Sequence, residues 1–274
     1  MSPKVSIIIP CYNDADYVEE SVKSAYELTY RNKEIIVVDD GSDQQTKAVL
    51  KKLDSKIDKL ISQDNVGVVS ARNSAIGLAQ GEYILTLDSD DYFAPQFLEK
   101  SVKILEEKKN VGMVTCWTTK IDETGNKIGH FKPSGASASK AVFYNNAPGN
   151  LLYRKVCWED VGGYDIEMKN GNEDWEFNVA VCKKGYKVHV IKEFLFFYRV
   201  KTLSRNKTAL KHRKTTRQYA FKKHQDLLIN NIETTIDFFL EEIEMKENKI
   251  RKMENSRAYK FGNFVLNTLR KLKP

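Results

Sequence analysis

Leu85-Thr86-Leu87-Asp88-Ser89-Asp90-Asp91 is an apolar run that ends in three carboxylates within four residues. With Tyr83 and Ile84 before it, the run reads as a strand buried on both faces. Such a strand would hold its acids at the C-terminal edge of the sheet, where open α/β sheets bind ligands. Carboxylates this crowded repel one another. A hard divalent cation, Mg²⁺ or Mn²⁺, is the usual remedy, because it takes oxygen ligands and shares its shell with phosphates. The other reading is that Ser89-Asp90-Asp91 caps a following helix. An Asp-x-Asp alone does not choose between the two; its surroundings must.

Those surroundings repeat one pattern. Val5 to Ile9 is an apolar run closed by Pro10, and Cys11-Tyr12-Asn13-Asp14 follows as a turn, with Asp14 or Asp16 placed to cap a helix through about Leu28. Glu34 to Val38 is a second strand, ending in Asp39-Asp40-Gly41-Ser42 and followed by a helix to about Leu53. Leu60 to Ser62 is a short third strand, and Gly67 opens a helix that carries Ala71-Arg72-Asn73 and stops near Gly81. Strand and helix alternating at this spacing predict a parallel sheet with right-handed crossovers. Two acidic strand ends, Asp39-Asp40 and Asp88 to Asp90, then converge on one crevice. The first turn has no G-x-G-x-x-G, and no G-x-x-x-x-G-K-[ST] occurs anywhere, so phosphate must be neutralised by other means.

The 274 residues, 41% of them hydrophobic, suit one or two globular domains. Cys11, Cys116, Cys157 and Cys182 are scattered without a C-x-x-C pair, which fits a reducing compartment and argues against structural zinc. The net charge of +7 is uneven. No acid occurs from Phe194 to Gln225, while Arg199, Lys201, Arg205, Lys207, Lys211, Arg213, Lys214, Arg217, Lys222 and Lys223 accumulate. That block reads as a surface for a polyanion or simply as a solvated helix face.

Taken as an ordered set, several stretches resemble the family 2 glycosyltransferases. They are Val5 to Asn13, Ile36 to Ser42, Asn65-Val66-Gly67 with Ala71-Arg72-Asn73, Leu87 to Asp91, Val161-Gly162-Gly163-Tyr164-Asp165 and Gly171-Asn172-Glu173-Asp174-Trp175. The resemblance covers about residues 4–205 and implies the GT-A fold: α/β, Rossmann-like, a mostly parallel sheet flanked by helices. It implies metal-dependent, inverting transfer of a sugar from a nucleotide-sugar donor, UDP-linked by expectation, to a glycan or lipid-linked acceptor of cell-surface polysaccharide. By that resemblance Pro10, Tyr12 and Asp40, with Asp39 beside it, hold the nucleobase, and Asn13 and Ser89 belong to the same donor site. The chemistry suits this, since a carboxylate accepts from a uracil N–H and a tyrosine ring offers a stacking face. Arg72 reaches the base or diphosphate, Asp88 the ribose or sugar, and Asp90, with Asp88 beside it, the Mn²⁺ or Mg²⁺. Asp174 is the base that takes the acceptor's hydroxyl proton, and Glu173 orients it.

Plainer readings stand next to these. Tyr12 could be packing, Arg72 could pair with Asp64 on the surface, and Glu173-Asp174 also looks like a helix start. One departure from the family's pattern is the stretch Tyr198-Arg199-Val200-Lys201-Thr202-Leu203-Ser204, where a histidine often completes the metal shell. A protonated lysine cannot ligate a metal. Arg199 and Lys201 are therefore expected to touch the diphosphate, leaving Asp90, phosphates and waters for the cation. Trp117 to Ala147 reads as a hairpin and flexible loop over the site, and acceptor recognition is expected there and around Asn150 to Tyr153.

The composition changes at about Thr208, which divides the chain into a transferase domain, 1–207, and a helical extension, 208–274. Ile232, Ile236, Phe239, Ile243, Ile250 and Met253 form a seam, either of a coiled coil that makes a homo-oligomer or of a helix docked on the domain. The tail from Asn263 to Lys273 is apolar on one face and basic at its end, which fits an anionic membrane surface. No apolar stretch approaches the ~20 residues that span a bilayer, and residues 1–10 read as a strand rather than a leader. The expected location is cytoplasmic, peripheral on the inner face of the plasma membrane. Two other functions would fit parts of the chain. A basic nucleic-acid or polyanion binder leaves the acidic strand ends unexplained, and nucleic acid is not an expected partner. A sugar-nucleotide pyrophosphorylase would want a Gly-rich, Arg-bearing first loop, which Pro10 to Asn13 does not supply.

Overall fold

In the computed structural model, which describes residues 2–145, 147–202 and 205–271, every position of β1 (Val5–Cys11) is buried. The side chains of residues 139, 205–210, 269 and 271 are not described. Leu203, Ser204, Leu272, Lys273 and the side chains of Arg205 and Lys207, all named above, therefore lie outside the described residues. Ile7, Ile8 and Ile9 send β-branched side chains to both faces of the sheet, each contributing roughly 1.5–3 kcal/mol by burial. The chain continues through α1 (Val18–Glu27), β2 (Lys33–Asp40), α2 (Gln44–Lys52), β3 (Lys59–Gln63), α3 (Val68–Leu78) and β4 (Tyr83–Thr86). This is the alternation that the sequence predicts. β1 pairs in parallel with β2 and β4, and β2 pairs in parallel with β3. Gly41 turns the chain after β2 at φ 76°, and a Cβ there would meet the Asn65 backbone nitrogen at 2.7 Å, so only glycine fits.

After β4 the plan changes. β5 (Tyr92–Phe93) precedes α4 (Phe97–Glu107), and a hairpin follows, made of β6 (Val111–Ile121) and β7 (Lys127–Phe131). Then come α5 (Ala138–Ala141), β8 (Leu152–Arg154), α6 (Lys155–Val161), α7 (Glu173–Lys183) and β9 (Lys187–Arg199). Among the described residues the strands form one sheet in the order β3-β2-β1-β4-β8-β6-β9-β5, with β7 paired to β6. β8 is antiparallel to both β4 and β6, β9 is parallel to β6, and β5 is antiparallel to β9. The sheet is thus parallel in its first half and mixed in its second. The expectation of a mostly parallel sheet holds only for the part that repeats strand and helix regularly. Three-residue β8, wedged between β4 and β6, is too short to show any periodicity.

Helices α8 (Arg205–Lys223), α9 (Gln225–Asn230), α10 (Ile232–Glu254) and α11 (Arg257–Lys271) complete the chain. One compact unit is Met1–Leu227 and the other Leu228–Pro274. The first runs past the change in composition near 208 because α8 is tied into it. Lys223 pairs with Asp165 and Glu176, His224 meets the buried Glu176 at 2.8 Å, and Ala220 is fully buried. In the second unit the seam residues of α10, Ile232, Ile236, Phe239, Ile243, Ile250 and Met253, are all exposed. Among the described residues no helix is long and apolar enough to cross a membrane.

Candidate active site

A cleft of about 700 Å³ opens at the C-terminal ends of β1, β2 and β4, walled on its far side by β6, β9 and the start of α7. All the predicted site residues line it except Asn13 and Asp39. At one end Tyr12 lines the cleft and is half exposed rather than packed in the core. Asp40 lies opposite, where it orders the loop before α3: it accepts from Gln63 Nε2 at 2.7 Å, from the Val66 N–H at 3.1 Å and from the Gly67 N–H at 2.9 Å. Asp39 points away and accepts from the Ser42 N–H at 2.8 Å. Asn13, at φ 52°, latches this first turn to the second by accepting from the Asp43 N–H and donating its own N–H to Ser42 Oγ. Asp39 and Asn13 therefore shape the cleft from behind.

The strand end after β4 is held by cations and by one amide. Arg72, buried on α3, donates to Asp88 at 2.5 Å and to Glu173 at 2.8 Å, not to Asp64. Burial alone would lower the pKa of this guanidinium, but Asp88 and Glu173 more than offset it and hold the charge firmly. Asn150 accepts from the Asp88 N–H and donates to both Asp88 and Asp91. Asp91 caps no helix: β5 intervenes, α4 starts at Phe97, and its carboxylate instead accepts from the Arg199 N–H at 2.8 Å. Burial, then the charges of Asp90 and Asp88, push the Asp91 carboxyl well above the usual carboxylate range.

Asp90 meets the Lys201 ammonium at 2.6 Å, and the same ammonium lies 2.9 Å from Asp14. Asp14 is not the cap of α1, which starts at Val18 without any side-chain cap; its other oxygen accepts from Ser89 Oγ at 2.5 Å. Burial and the neighbouring Asp88 raise the Asp90 carboxyl, and Lys201 pulls it part of the way back. Arg199 is turned toward the protein. It donates to the carbonyls of Asp90, Asp122 and Glu123, pairs with Glu20 and lies over the Tyr17 ring. Expected on the diphosphate, its guanidinium instead braces the loop that carries Asp90.

Asn172, in the left-handed conformation at φ 64°, delivers Glu173 and Asp174 into the first turn of α7. Glu173 is buried against Arg72, while the half-buried Asp174 accepts from Asn145 Nδ2 at 3.2 Å. Burial first, and the adjacent Glu173 charge second, raise the Asp174 carboxyl. Gly149 packs against it so closely that a Cβ there would come within 2.9 Å of the Asp174 Cβ. A carboxyl with a raised pKa, open to a cleft and fixed at a helix start, is equipped to accept a proton.

Among the described residues no group of three His, Cys, Asp or Glu side chains is placed to hold a metal ion. Asp90 faces Lys201, and Asp88 is shared between Arg72 and Asn150. The donor set therefore does not fit a cation held by protein groups alone. The sequence reading missed Asp14, read as a cap, and placed Asn145 and Asn150 only in the acceptor region, without these partners. All three make contacts across long stretches of chain that no local spacing announces.

A model of a protein family described as Glycosyl transferase family 2 matches residues 6–164 of this chain. A curated relative, the putative teichuronic acid biosynthesis glycosyltransferase TuaG of Bacillus subtilis, is 29% identical over 214 residues, which are 75% of this chain and 83% of that protein. Among solved structures, S. aureus TarS 1–349 in complex with UDP superposes with a TM-score of 0.61 at 20% identity, over 86% of this chain and 80% of that one. The mannosyltransferase PcManGT from Pyrobaculum calidifontis, in complex with GDP-Man and Mn²⁺, gives 0.62 at 18% identity, over 95% and 83%. The fold is that of these GT-A enzymes.

Proposed function

Because the chain belongs to glycosyl transferase family 2, we propose that it moves a sugar, with inversion, from a UDP-sugar to a glycan or lipid-linked acceptor in cell-surface polysaccharide synthesis. The observation that carries this reading is Arg72, whose one guanidinium joins the strand end at Asp88 to the carboxylate pair at Glu173-Asp174 within a single cleft. The nucleobase lies on Tyr12 near Asp40, and the donor's sugar faces Asp88. Asp174 takes the proton of the acceptor hydroxyl as that oxygen attacks the anomeric carbon. The bond to the diphosphate breaks, and the diphosphate leaves with the electron pair, its charge met by Lys201. The raised Asp174 carboxyl places the acid limb of the activity profile above the usual carboxylate range. Asp90 would be the protein ligand of any Mn²⁺ or Mg²⁺ that accompanied the diphosphate, and such a cation would supply further charge stabilisation to the leaving group. TuaG, TarS and PcManGT support the donor class and the polysaccharide setting by the names and ligands they carry.

Asp174→Asn is the test. Transfer should fall about a thousandfold or more while UDP binding stays within about twofold. Wild-type turnover in that variant would remove Asp174 from the base role.

The second unit has its own place in this reading. On α11, Phe261, Phe264 and Val265 are exposed at helical spacing, with Arg257, Lys260 and Arg270 on the same helix. Such a helix suits an anionic membrane on the cytoplasmic face, and the exposed seam of α10 suits a second copy of the chain. Removing residues 255–274 should abolish sedimentation with phosphatidylglycerol vesicles; equal sedimentation would reject the membrane role.

A further inference from the structure

We propose that the Lys201 ammonium is the resident cation of the acidic strand end, so that a nucleoside diphosphate binds here without a divalent metal. The inference rests on reading the cleft as a nucleotide-sugar site and goes beyond it. Lys201 Nζ lies 2.6 Å from Asp90 and 2.9 Å from Asp14, and Asp14 is tied in turn to Ser89 within the Asp-rich stretch. Three segments distant in sequence, the first turn, the β4 end and the residues after β9, thus meet on one positive charge. The ammonium is also 5.3 Å from the Tyr17 ring centroid, whose face favours a cation. The side chain is held on all these sides rather than wandering in solvent.

A divalent ion on the same Asp90 oxygen would stand about 2.1 Å from it, in space the ammonium already occupies. Two cations that close repel, so bare metal is disfavoured at this strand end as long as Lys201 stays. The neighbouring carboxylates do not substitute for Asp90: Asp88 is held by Arg72 and Asn150, and Asp91 by Arg199 and Asn150. Lysine is well suited to the other half of the task. It binds phosphate as a point charge on a flexible stem and can turn from carboxylate to diphosphate without leaving the cleft.

The experiment is calorimetric titration of UDP into the full chain, with EDTA and then with Mn²⁺. It is run on the wild type and on Lys201→Ala, Lys201→Arg and Lys201→His. The wild type should bind with a dissociation constant in EDTA within about threefold of that in Mn²⁺, and Lys201→Arg should behave alike. Lys201→Ala should lose about tenfold or more in EDTA, with Mn²⁺ restoring most of it. In parallel, the paramagnetic signal of free Mn²⁺ should be undiminished by nucleotide-free wild type and reduced by Lys201→His. The proposal is overturned if chelation costs the wild type more than about tenfold, or if Lys201→Ala binds UDP in EDTA as well as the wild type does. Uptake of the ion by nucleotide-free wild type would overturn it as well. Failure of UDP to bind any form, with or without Mn²⁺, would instead bring down the nucleotide-sugar reading and this proposal with it.

Discussion

Asp39 and Asp40, at the end of β2, are held by uncharged donors, whereas Asp88 and Asp90, at the end of β4, each meet a cation. Asp39 and Asp40 accept from backbone N–H groups of Ser42, Val66 and Gly67 and from the amide of Gln63. Asp88 and Asp90 face Arg72 and Lys201. The first arrangement sets the shape of two loops and leaves the negative charge in place to receive a donor group from a ligand. The second balances charge with an ammonium and a guanidinium, groups that on the proposed reading can exchange a carboxylate for a phosphate. Two similar strings of acids thus divide the work, one fixing a contour and the other managing charge.

The contrast can be attacked at its strongest point first. Arg72→Ala removes the buried guanidinium that joins Asp88 to Glu173 and should cost about 3–5 kcal/mol in urea unfolding. Arg72→Lys should recover only part of this, since a single ammonium cannot reproduce the fork. A loss below about 1 kcal/mol would mean that the buried bridge is not what holds the two halves of the cleft together. Asp40→Ala comes next, because it strands the Val66 and Gly67 N–H groups. It should cost about 1–3 kcal/mol and weaken UDP binding by the same factor in EDTA and in Mn²⁺. A loss confined to metal-free conditions would erase the distinction between the two strand ends.

The smallest effect belongs to Asp174, which has an amide for a partner and, among the described residues, no cation at hydrogen-bond distance. Its folded pKa is raised, chiefly by burial, above the unfolded value of about 3.9. The folded chain then holds that proton more tightly than the unfolded chain does. Stability associated with this group is present below about pH 4 and lost as pH rises through the raised value. Asp174→Asn should therefore melt slightly above the wild type at pH 8, by about 1 kcal/mol or less, and level with it at pH 4. A lower melting temperature at pH 8 would show that the carboxylate is stabilised by partners rather than burdened by burial.

How much of this could be read in advance depends on the range of each signal. β1, β2 and β4 were legible because a strand buried on both faces is a plain apolar run, and Gly41 marks its turn by residue type. The convergence of Asp40, Arg72, Asp88, Asp90 and Asp174 followed from the direction of parallel strands together with the motif resemblance. What escaped was non-local. Asp14 has the form of a helix cap yet turns inward to Lys201, which is 187 residues away. Asp91 also has the form of a cap, but the two-residue β5 leaves it serving Arg199 instead. Asn150 acts on Asp88 and Asp91 from a segment whose only local pattern is the short β8. Arg199, expected on the diphosphate from its place in the motif resemblance, is engaged by carbonyls of the 122–123 turn. A motif position carries no information about which carbonyls lie within reach of the guanidinium.

Arg72 has a consequence for how such a molecule could change its product. The two carboxylates it grips belong to segments 85 residues apart, and between them lie the hairpin and loops that line the rest of the cleft. A planar fork of fixed width acts as a gauge: it keeps the span between the donor's side and the proton acceptor constant whatever is inserted in that interval. On the proposed reading, the hairpin turn and loop after β6, residues 122–145, can then vary with the acceptor while the two carboxylates stay in register.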